Sequence, residues 1–299
     1  VARLVSFGPE FEDWLEEVRQ MMHREVDYRL EARTTEKFRQ MLAEDPRFVV
    51  PRVLPEYSSA QVIASTYEHG HSVNSRLVRD LSLERRSELG KAALELFFRE
   101  LFVWGEIQTD PNFGNYRIRI AGEDGKGAEH DRIVLLDFGA VQTYSREFLD
   151  PVIQMIRASY ENDLDAVIDG GVKLRFMSTD WPKEVLETFG QVCMSVLEPL
   201  SSDHQSWPDC AINSEGQYRW KQSDLPSRVA RQAARSAISR YFRVPPSEFV
   251  FLNRKLIGVY TFIAVLYSEF NGEPLLRKYL YGEGDDTPDA SATSQITKA

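Results

Sequence analysis

Two carboxylates and one carboxamide are the residues of this sequence best suited to chemistry, because their spacing is that of a phosphoryl-transfer site. Asp110 and Asn115 lie five residues apart in a stretch with the composition of a loop, and Asp137 follows a short apolar run. An aspartate can orient or deprotonate a nucleophile, and an asparagine and a second aspartate can hold magnesium beneath phosphate groups. The alternative is that all three residues only shape turns, since short motifs also arise by chance.

The elements around these residues are predicted to bring them together. The segment from Ser82 to Trp104 has helical periodicity and ends at Gly105, a common C-terminal signal, just before the Asp110 loop. A hairpin that leads to Asp137 is predicted, with strands over residues 116–120 and 132–136. The glycine-rich connector between these strands is interpreted as an exposed hairpin loop, because it opens no helix and so lacks the feature that lets such loops bind phosphate.

Residues 11–44 are predicted to be helical and carry an acidic region. Asp27 and Glu31 are four residues apart and would share a helix face, where two negative charges repel each other unless a positive group lies opposite. One interpretation is that Glu31 pairs with a phosphate-binding lysine while Glu25 and Asp27 face a nucleotide. The other is a solvated acidic face with nearby arginines as its neighbours.

Residues 48–54 and 61–67 are predicted to pair as a second hairpin. Its second strand would run into a glycine-containing connector and then into helices, as in the hinge of a two-lobe kinase. In that interpretation the backbone of Tyr67, Glu68 and His69 would hydrogen-bond adenine. The alternative is an ordinary strand-to-helix loop.

Composition narrows the class of protein. The 299 residues are 42% hydrophobic and 27% charged, as expected for a globular protein with one large or two ordinary domains. The net charge of −10 argues against a general nucleic-acid-binding protein. Cys193 and Cys210 suggest no disulfide framework, which favours a reducing, cytoplasmic location. The longest apolar run, residues 256–266, is shorter than the ~20 residues of a membrane span and is predicted to be a buried helix.

The rest of the chain is predicted to be mainly helical. Helices are expected over residues 148–160, 164–170, 181–200 and 227–242, with an irregular polar crossover over residues 201–226. A last long helix, beginning near residue 244, carries Arg254 and Lys255. These two bases are either buried partners of acids or surface residues whose stems lie along the protein.

Four stretches of the chain resemble the UbiB/AarF family of atypical protein-kinase-like proteins: residues 25–32 (Glu-Val-Asp-Tyr-Arg-Leu-Glu-Ala), residues 108–115 (Gln-Thr-Asp-Pro-Asn-Phe-Gly-Asn), residues 136–140 (Leu-Asp-Phe-Gly-Ala) and residues 251–258 (Phe-Leu-Asn-Arg-Lys-Leu-Ile-Gly). Each stretch alone is a weak signal of the family, and the four stretches together are a specific one. The form Gln-Thr-Asp-Pro-Asn is closer to the mitochondrial ubiquinone-biosynthesis branch than to the bacterial one.

The resemblance implies an α+β, protein-kinase-like fold, with a remnant of the N-lobe over residues 1–68, a mostly helical C-lobe over residues 69–281 and a disordered tail over residues 282–299. It also implies roles for the candidate residues. These are a catalytic-loop aspartate (Asp110), a helix-C glutamate (Glu31), magnesium ligands (Asn115 and Asp137) and an acidic motif that covers the site (Glu25 and Asp27). The implied ligands are ATP and Mg²⁺. The implied role is ATP binding and hydrolysis in support of ubiquinone or other isoprenoid-lipid metabolism. Further candidate partners are a lipid or quinone precursor and a membrane surface to which the protein would bind peripherally.

The chain also departs from the family pattern. Upstream of Glu25 there is no Lys-x-Gly-Gln motif, no alanine-rich nucleotide loop and no strand lysine. We therefore expect a C-lobe with the end of an N-lobe, with the missing elements supplied elsewhere, and a lowered nucleotide affinity for this stretch by itself. A nucleotide-sensing pseudokinase or scaffold of a lipid-biosynthetic complex is the main alternative. A small-molecule kinase of the aminoglycoside or choline type fits less well, because Phe138 and Gly139 follow Asp137.

Overall fold

The computed structural model describes residues 27–123, 129–237 and 246–282. Within them the chain forms an α+β fold, in agreement with the sequence prediction. The helices are α1 (Tyr28–Met41), α2 (Arg76–Arg79), α3 (Leu83–Phe98), α4 (Arg146–Tyr160), α5 (Leu164–Lys173), α6 (Lys183–Ser195), α7 (Leu225–Ala237), α8 (Ser247–Val265) and α9 (Glu273–Tyr281). The strands are β1 (Phe48–Val49), β2 (His71–Ser72), β3 (Glu106–Gln108), β4 (Tyr116–Arg119), β5 (Arg132–Leu135) and β6 (Val141–Thr143). Glu25, the start of the predicted first helix and the predicted tail after residue 282 lie outside the described residues.

The strands form two small sheets. The larger has the order β1-β5-β4-β2, in which β4 and β5 form the predicted antiparallel hairpin with Tyr116 opposite Leu135. The smaller pairs β3 with β6, so that Gln108 lies opposite Val141. The loop that carries Asp110 and Asn115 connects β3 to β4, and Asp137 lies between β5 and β6. Each loop is thus flanked by one strand from each sheet.

The predicted helix before the Asp110 loop is present, but its last turns are wider than those of an α-helix. Ser82 caps α3 by accepting from the Arg85 N–H, and α3 is followed by a π-helical segment, Arg99–Trp104. The Gly105 N–H donates to the Glu100 carbonyl at 2.9 Å, and Gly105 has a φ of 65°. This left-handed conformation favours glycine and ends the helix where the sequence predicted. π-Helical turns of this kind are often found at functional sites.

The predicted hairpin of residues 48–54 with residues 61–67 forms only in part. β1 pairs in parallel with β5, and no regular strand forms over residues 61–67. The two stretches meet at an isolated antiparallel bridge between Val53 and Ser65, flanked by the bonds from the Leu54 N–H to the Ala64 carbonyl at 2.8 Å and from the Thr66 N–H to the Arg52 carbonyl at 2.9 Å. Pro51 has no N–H to donate, and the Ala64 N–H donates to the Ser58 hydroxyl, so the bridge does not extend into a regular ladder.

The downstream helices follow the prediction where they are described, except that α6 ends at Ser195, and residues 238–242 of the predicted helix over 227–242 lie outside the described residues. Ser145 and Asp163 accept from backbone N–H groups at the starts of α4 and α5. The crossover between α6 and α7 is irregular as predicted, yet it is well packed. Trp207 and Trp220 are both buried, and their indole N–H groups donate to backbone carbonyls. Buried indoles with satisfied N–H groups hold this segment against the helices.

One apolar core joins the sheets to the helices. Phe38 of α1, Ile107 of β3, Ile118 of β4 and Ile263 of α8 all belong to it and are fully buried. Among the described helices, none has the length and apolar content needed to cross a bilayer.

Candidate functional site

The loop after β3 brings Asp110 and Asn115 into direct contact. The Asn115 side-chain amide donates to Asp110 Oδ2 at 2.8 Å, and the Asn112 N–H donates to Asp110 Oδ1 at 3.3 Å. Asn112 in turn accepts from the Gly114 N–H at the start of the 3-10 turn Phe113–Asn115. These short Asx bonds build the turn from local sequence alone. They agree with the turn-shaping interpretation and also place a carboxylate and a carboxamide side by side.

Gln108 ties this loop to the loop that carries Asp137. Its side-chain amide donates to the Asp137 carbonyl at 2.6 Å, and its side-chain oxygen accepts from the Asp110 N–H at 3.1 Å. Beside it, the Thr109 hydroxyl and N–H both donate to the Ala140 carbonyl. Gln108 and Thr109 are buried. The two loops are therefore held together by buried hydrogen bonds, which position side chains firmly.

Asp137 and Glu31 lie close together, and both carboxylates lie beside Gly139. Asp137 Oδ1 accepts from the Gly139 N–H at 2.8 Å. Partial burial and the nearby Asp137 carboxylate raise the pKa of Glu31 to about 7. Phe138 is buried against Phe38 of α1, with their ring centroids 4.8 Å apart, and this contact fixes the helix that carries Glu31. The structure thus brings Glu31 next to Asp137, and its pairing with a phosphate-binding lysine stays a prediction.

Asp27 has a structural task in this fold. Its Oδ1 accepts from the N–H groups of Arg29 and Leu30, both at 3.1 Å, and so caps α1. It is exposed. Asp27 therefore caps the start of α1, one turn before Glu31, whose N–H donates to the Asp27 carbonyl at 3.0 Å. Glu25 precedes the described residues, and its predicted contact with nucleotide stays a prediction.

The predicted hinge, Tyr67 to His69, contacts β4. Arg119 lies 2.7 Å from the Glu68 carboxylate and also donates to the His69 carbonyl at 3.1 Å. Tyr67 is 81% exposed and packs edge-on against the His69 ring. The His69 carbonyl is thus already an acceptor for Arg119. Adenine binding by this segment stays a prediction.

Helix α8 supplies two positive side chains that the sequence left open. Arg254 is 51% exposed and lies 3.4 Å from Asp110 Oδ1. Lys255 is buried, and its Nζ lies 2.9 Å from Oε2 of Glu100, which is also buried. This distance is that of an ion pair, although the contact does not have the angles of a hydrogen bond. Neither is a free surface base. Arg254 is a half-exposed partner of the Asp110 loop, and Lys255 is a buried partner of the π-helical segment.

The Lys255–Glu100 pair also supports β3. Glu100 Oε1 accepts from the Gln108 N–H at 3.3 Å. Burial raises the pKa of Glu100, against the opposite effect of Lys255. Burial disfavours the charge of Lys255, yet the Glu100 carboxylate and the Tyr116 phenol beside it raise the lysine pKa. A buried Lys–Glu pair therefore lies beneath the loop. The only sequence signal for it was a charged Arg-Lys pair next to an apolar run.

The donor set fits magnesium bound together with phosphate. Asn115 uses its amide N–H on Asp110, so its amide oxygen takes no part in that bond. Oδ1 of Asp137 accepts from the Gly139 N–H, and its Oδ2 takes no part in that bond. No group of three or more His, Cys, Asp or Glu side chains among the described residues could hold a metal alone. Magnesium commonly takes one or two carboxylates together with substrate phosphates, which is the arrangement these residues allow.

Comparisons with known proteins agree with the sequence resemblance. The model of the ABC1 atypical kinase-like domain matches residues 1–170. The chain is 29% identical over 270 residues to the atypical kinase coq-8, mitochondrial, of Caenorhabditis elegans, a match that covers 89% of this chain and 33% of that protein. It is 28% identical to the atypical kinase COQ8B, mitochondrial, of Rattus norvegicus, covering 86% of this chain and 44% of that protein. The chain thus spans between a third and a half of the length of these two relatives.

A solved structure shares the fold. The Rv3197–erythromycin complex from Mycobacterium tuberculosis matches with a TM-score of 0.61 at 20% identity, and the match covers 93% of this chain and 64% of that chain. At this identity the match concerns the fold alone.

Proposed function

The chain belongs to the ABC1 family of atypical kinase-like proteins, and on that premise we propose that it binds ATP with magnesium and transfers or hydrolyses the terminal phosphate. The observation that carries the proposal is the bridge made by Gln108. This one buried side chain bonds to the backbone of both Asp110 and Asp137. The two loops that carry the proposed phosphoryl-transfer carboxylates are thus linked through one buried side chain.

Asp110 is proposed to position the nucleophile, a hydroxyl group or a water molecule, and to accept its proton. Asn115 holds the carboxylate through the 2.8 Å bond from its amide, and Arg254 lies on the other carboxylate oxygen at 3.4 Å. Both contacts orient the carboxylate, which a general base needs in order to reach the proton it accepts. Arg254 is half-exposed, so it can also contact an incoming anionic group.

Asn115 and Asp137 are the residues that would hold magnesium. When bound, magnesium would neutralise negative charge on the phosphates. It would also relieve the repulsion between Asp137 and Glu31. Glu31 is proposed to pair with a phosphate-binding lysine of the whole protein, since no described lysine pairs with it.

The wider role is also proposed from the relatives. The family resemblance and the coq-8 and COQ8B relatives support a role in ubiquinone or other isoprenoid-lipid metabolism. A lipid or quinone precursor would then be the acceptor or an effector. The relatives are named as mitochondrial, and a peripheral location at a membrane surface is the corresponding proposal for this protein.

Magnesium-dependent release of ADP tests the proposed activity. We expect turnover by the 299-residue chain, and Asp110→Asn is expected to lower it by at least about a hundredfold while nucleotide binding persists, because a general base contributes about that much. Asp180→Asn is a matched control, since Asp180 is an exposed aspartate that follows α5, outside the loops that form the site. Wild-type turnover in Asp110→Asn would contradict the proposed role of Asp110.

A nucleotide-sensing scaffold is the second candidate. The observation that favours it is that Glu31 faces a carboxylate and no described lysine, whereas Lys37 and Lys255 pair with Glu106 and Glu100. This candidate predicts nucleotide binding that is lost in Asp137→Ala, with no ADP release by the wild-type chain. ADP release that depends on Asp110 would exclude it.

A further inference from the structure

The helical part of the molecule contains an apolar cavity away from the Asp110 loop. Its volume is about 200 Å³, and it lies between α3, α4, α6, α7 and α8. Protein interiors rarely contain voids much larger than a water molecule. A dry cavity of about 150 Å³ in another protein binds benzene, so this one has room for an aromatic ring with a short alkyl chain.

The cavity has a buried floor and a half-buried rim. Phe97, Phe98 and Leu101 form part of the floor, and Val192 and Phe249 belong to the rim. The lining is carbon-rich, which favours an apolar ligand over water. A half-buried rim gives such a ligand a way in.

Two polar side chains in the lining differ in their hydrogen bonding. The Ser159 hydroxyl donates to the Met155 carbonyl at 2.8 Å and is therefore satisfied. The Asn253 side chain makes no hydrogen bond to another described residue, and it is half-buried at the cavity. An amide in that position can bond to one hydroxyl or carbonyl group of a ligand.

Helix α8 connects the cavity to the Asp110 loop. Successive residues of an α-helix are rotated by about 100°, so Leu252 and Leu256 share one face, Arg254 and Gly258 lie on the opposite one, and Asn253 lies between the two faces. The first face lines the cavity. On the second, Arg254 contacts Asp110, and a Cβ built on Gly258 would come within 2.3 Å of the Pro111 side chain. The same helix is therefore in tight contact with both places.

We propose that this cavity is a binding site for a small apolar molecule, an aromatic or alkyl group of roughly six to ten carbons with one polar group that bonds to Asn253. Its occupant fills the space beside Leu252 and Leu256 and thereby stiffens α8. This site is separate from the proposed nucleotide site, and its test uses no nucleotide turnover.

Calorimetry with two probes tests the site. We expect n-butylbenzene and 4-phenylbutan-1-ol to bind the 299-residue chain, the alcohol about fivefold more tightly because of one added hydrogen bond. Asn253→Leu is expected to abolish the preference for the alcohol while n-butylbenzene still binds. Equal affinity of the wild-type chain for both probes would overturn the role of Asn253.

A cavity-filling variant locates the binding. Val192→Phe puts a ring into the cavity and is expected to lower the affinity for both probes at least tenfold. Val103→Phe adds the same ring at an exposed position and is expected to leave both affinities unchanged. If Val192→Phe does not fold, Ser159→Leu serves the same purpose. No binding by the wild-type chain, or undiminished binding by a folded filled variant, would overturn the proposal.

Hydrogen exchange tests the effect on α8. With n-butylbenzene bound, amides of α8 are expected to exchange more slowly, and those of α1, which does not line the cavity, to exchange at an unchanged rate. The slowing should vanish in the filled variant. Unchanged exchange in α8 despite saturated binding would refute the stiffening.

Discussion

At the residue scale, the site depends on side chains that hold other side chains. Asn115 bonds to Asp110, and Gln108 bonds to the backbone of both Asp110 and Asp137. Because Gln108 is buried, no solvent competes for its bonds. The two loops therefore keep their relative position without a ligand, which is the preorganisation that the proposed phosphoryl transfer would use.

Glu31 leads to a prediction about pH. Its folded-state pKa of about 7 is above its ordinary value of 4.5, so the folded state binds a proton more readily than the unfolded state. The stability this proton contributes is fully present below pH 4.5 and is lost as the pH rises through 7. In the presence of EDTA, urea unfolding of the wild-type chain should show this loss, about 1 kcal/mol after allowance for solvent screening.

Glu31→Gln should remove this pH dependence and make the metal-free chain more stable than wild type at pH 8. Glu44→Gln, which changes an exposed acid just after α1, is the matched control and should keep the wild-type profile. An unchanged slope in Glu31→Gln would mean that Glu31 does not titrate in this range.

At the scale of elements, α8 and the π-helical segment Arg99–Trp104 form the support of the Asp110 loop. The Lys255–Glu100 pair joins them, and Glu100 also accepts from the backbone of β3. A buried pair is costly to break because the remaining charge is left without a partner. The pair therefore makes the position of α8 depend on that of β3.

Lys255→Met should lower the free energy of unfolding by about 3–5 kcal/mol, because it leaves Glu100 buried and unpaired. The double variant Lys255→Met with Glu100→Leu should recover most of this loss, and urea unfolding measures both. Lys183→Met, which removes an exposed lysine from an ion pair on α6, should change stability by less than about 0.5 kcal/mol. A Lys255→Met variant as stable as that control would show that the buried pair does not support the fold.

At the scale of the whole molecule, the proposed nucleotide site connects α1, the two sheets and α8. A ligand that binds only the folded chain raises its stability by mass action, by about 2.7 kcal/mol at a hundredfold excess over Kd. We expect MgATP to stabilise the wild-type chain in this way. Removing magnesium with EDTA, or replacing Asp137 by Ala, should abolish most of the effect.

Thermal unfolding with and without MgATP is the measurement, and Asp180→Asn serves as the control with an intact site. Stabilisation that persists in both EDTA and Asp137→Ala would place the nucleotide elsewhere. This test needs no turnover, so it applies equally to an enzyme and to a nucleotide-sensing scaffold.

Local patterns were enough for much of the fold. The helix that ends at Gly105, the β4–β5 hairpin and the downstream helices follow from periodicity, capping residues and glycine, all of which act within a few residues. The α+β, kinase-like fold and the family resemblance are confirmed by the comparisons. The division of the chain at residue 68 and the individual roles of the site residues stay predictions.

The sequence did not predict the partner of the first strand. Residues 48–54 have strand composition, yet β1 joins β5 in parallel, and the predicted pairing with residues 61–67 is limited to the bridge between Val53 and Ser65. A propensity pattern says that a segment suits a sheet, but not which strand it will meet.

The sequence by itself determined which side chains could act on phosphate: Asp110 and Asn115 at their fixed loop spacing, and Asp137 after its apolar strand. Only the tertiary structure decided how they are held, through the Gln108 bridge and through the burial of Lys255 against Glu100. The physical reason is that turns and helices depend on neighbours in the chain, whereas a buried hydrogen bond or ion pair depends on which segments pack together.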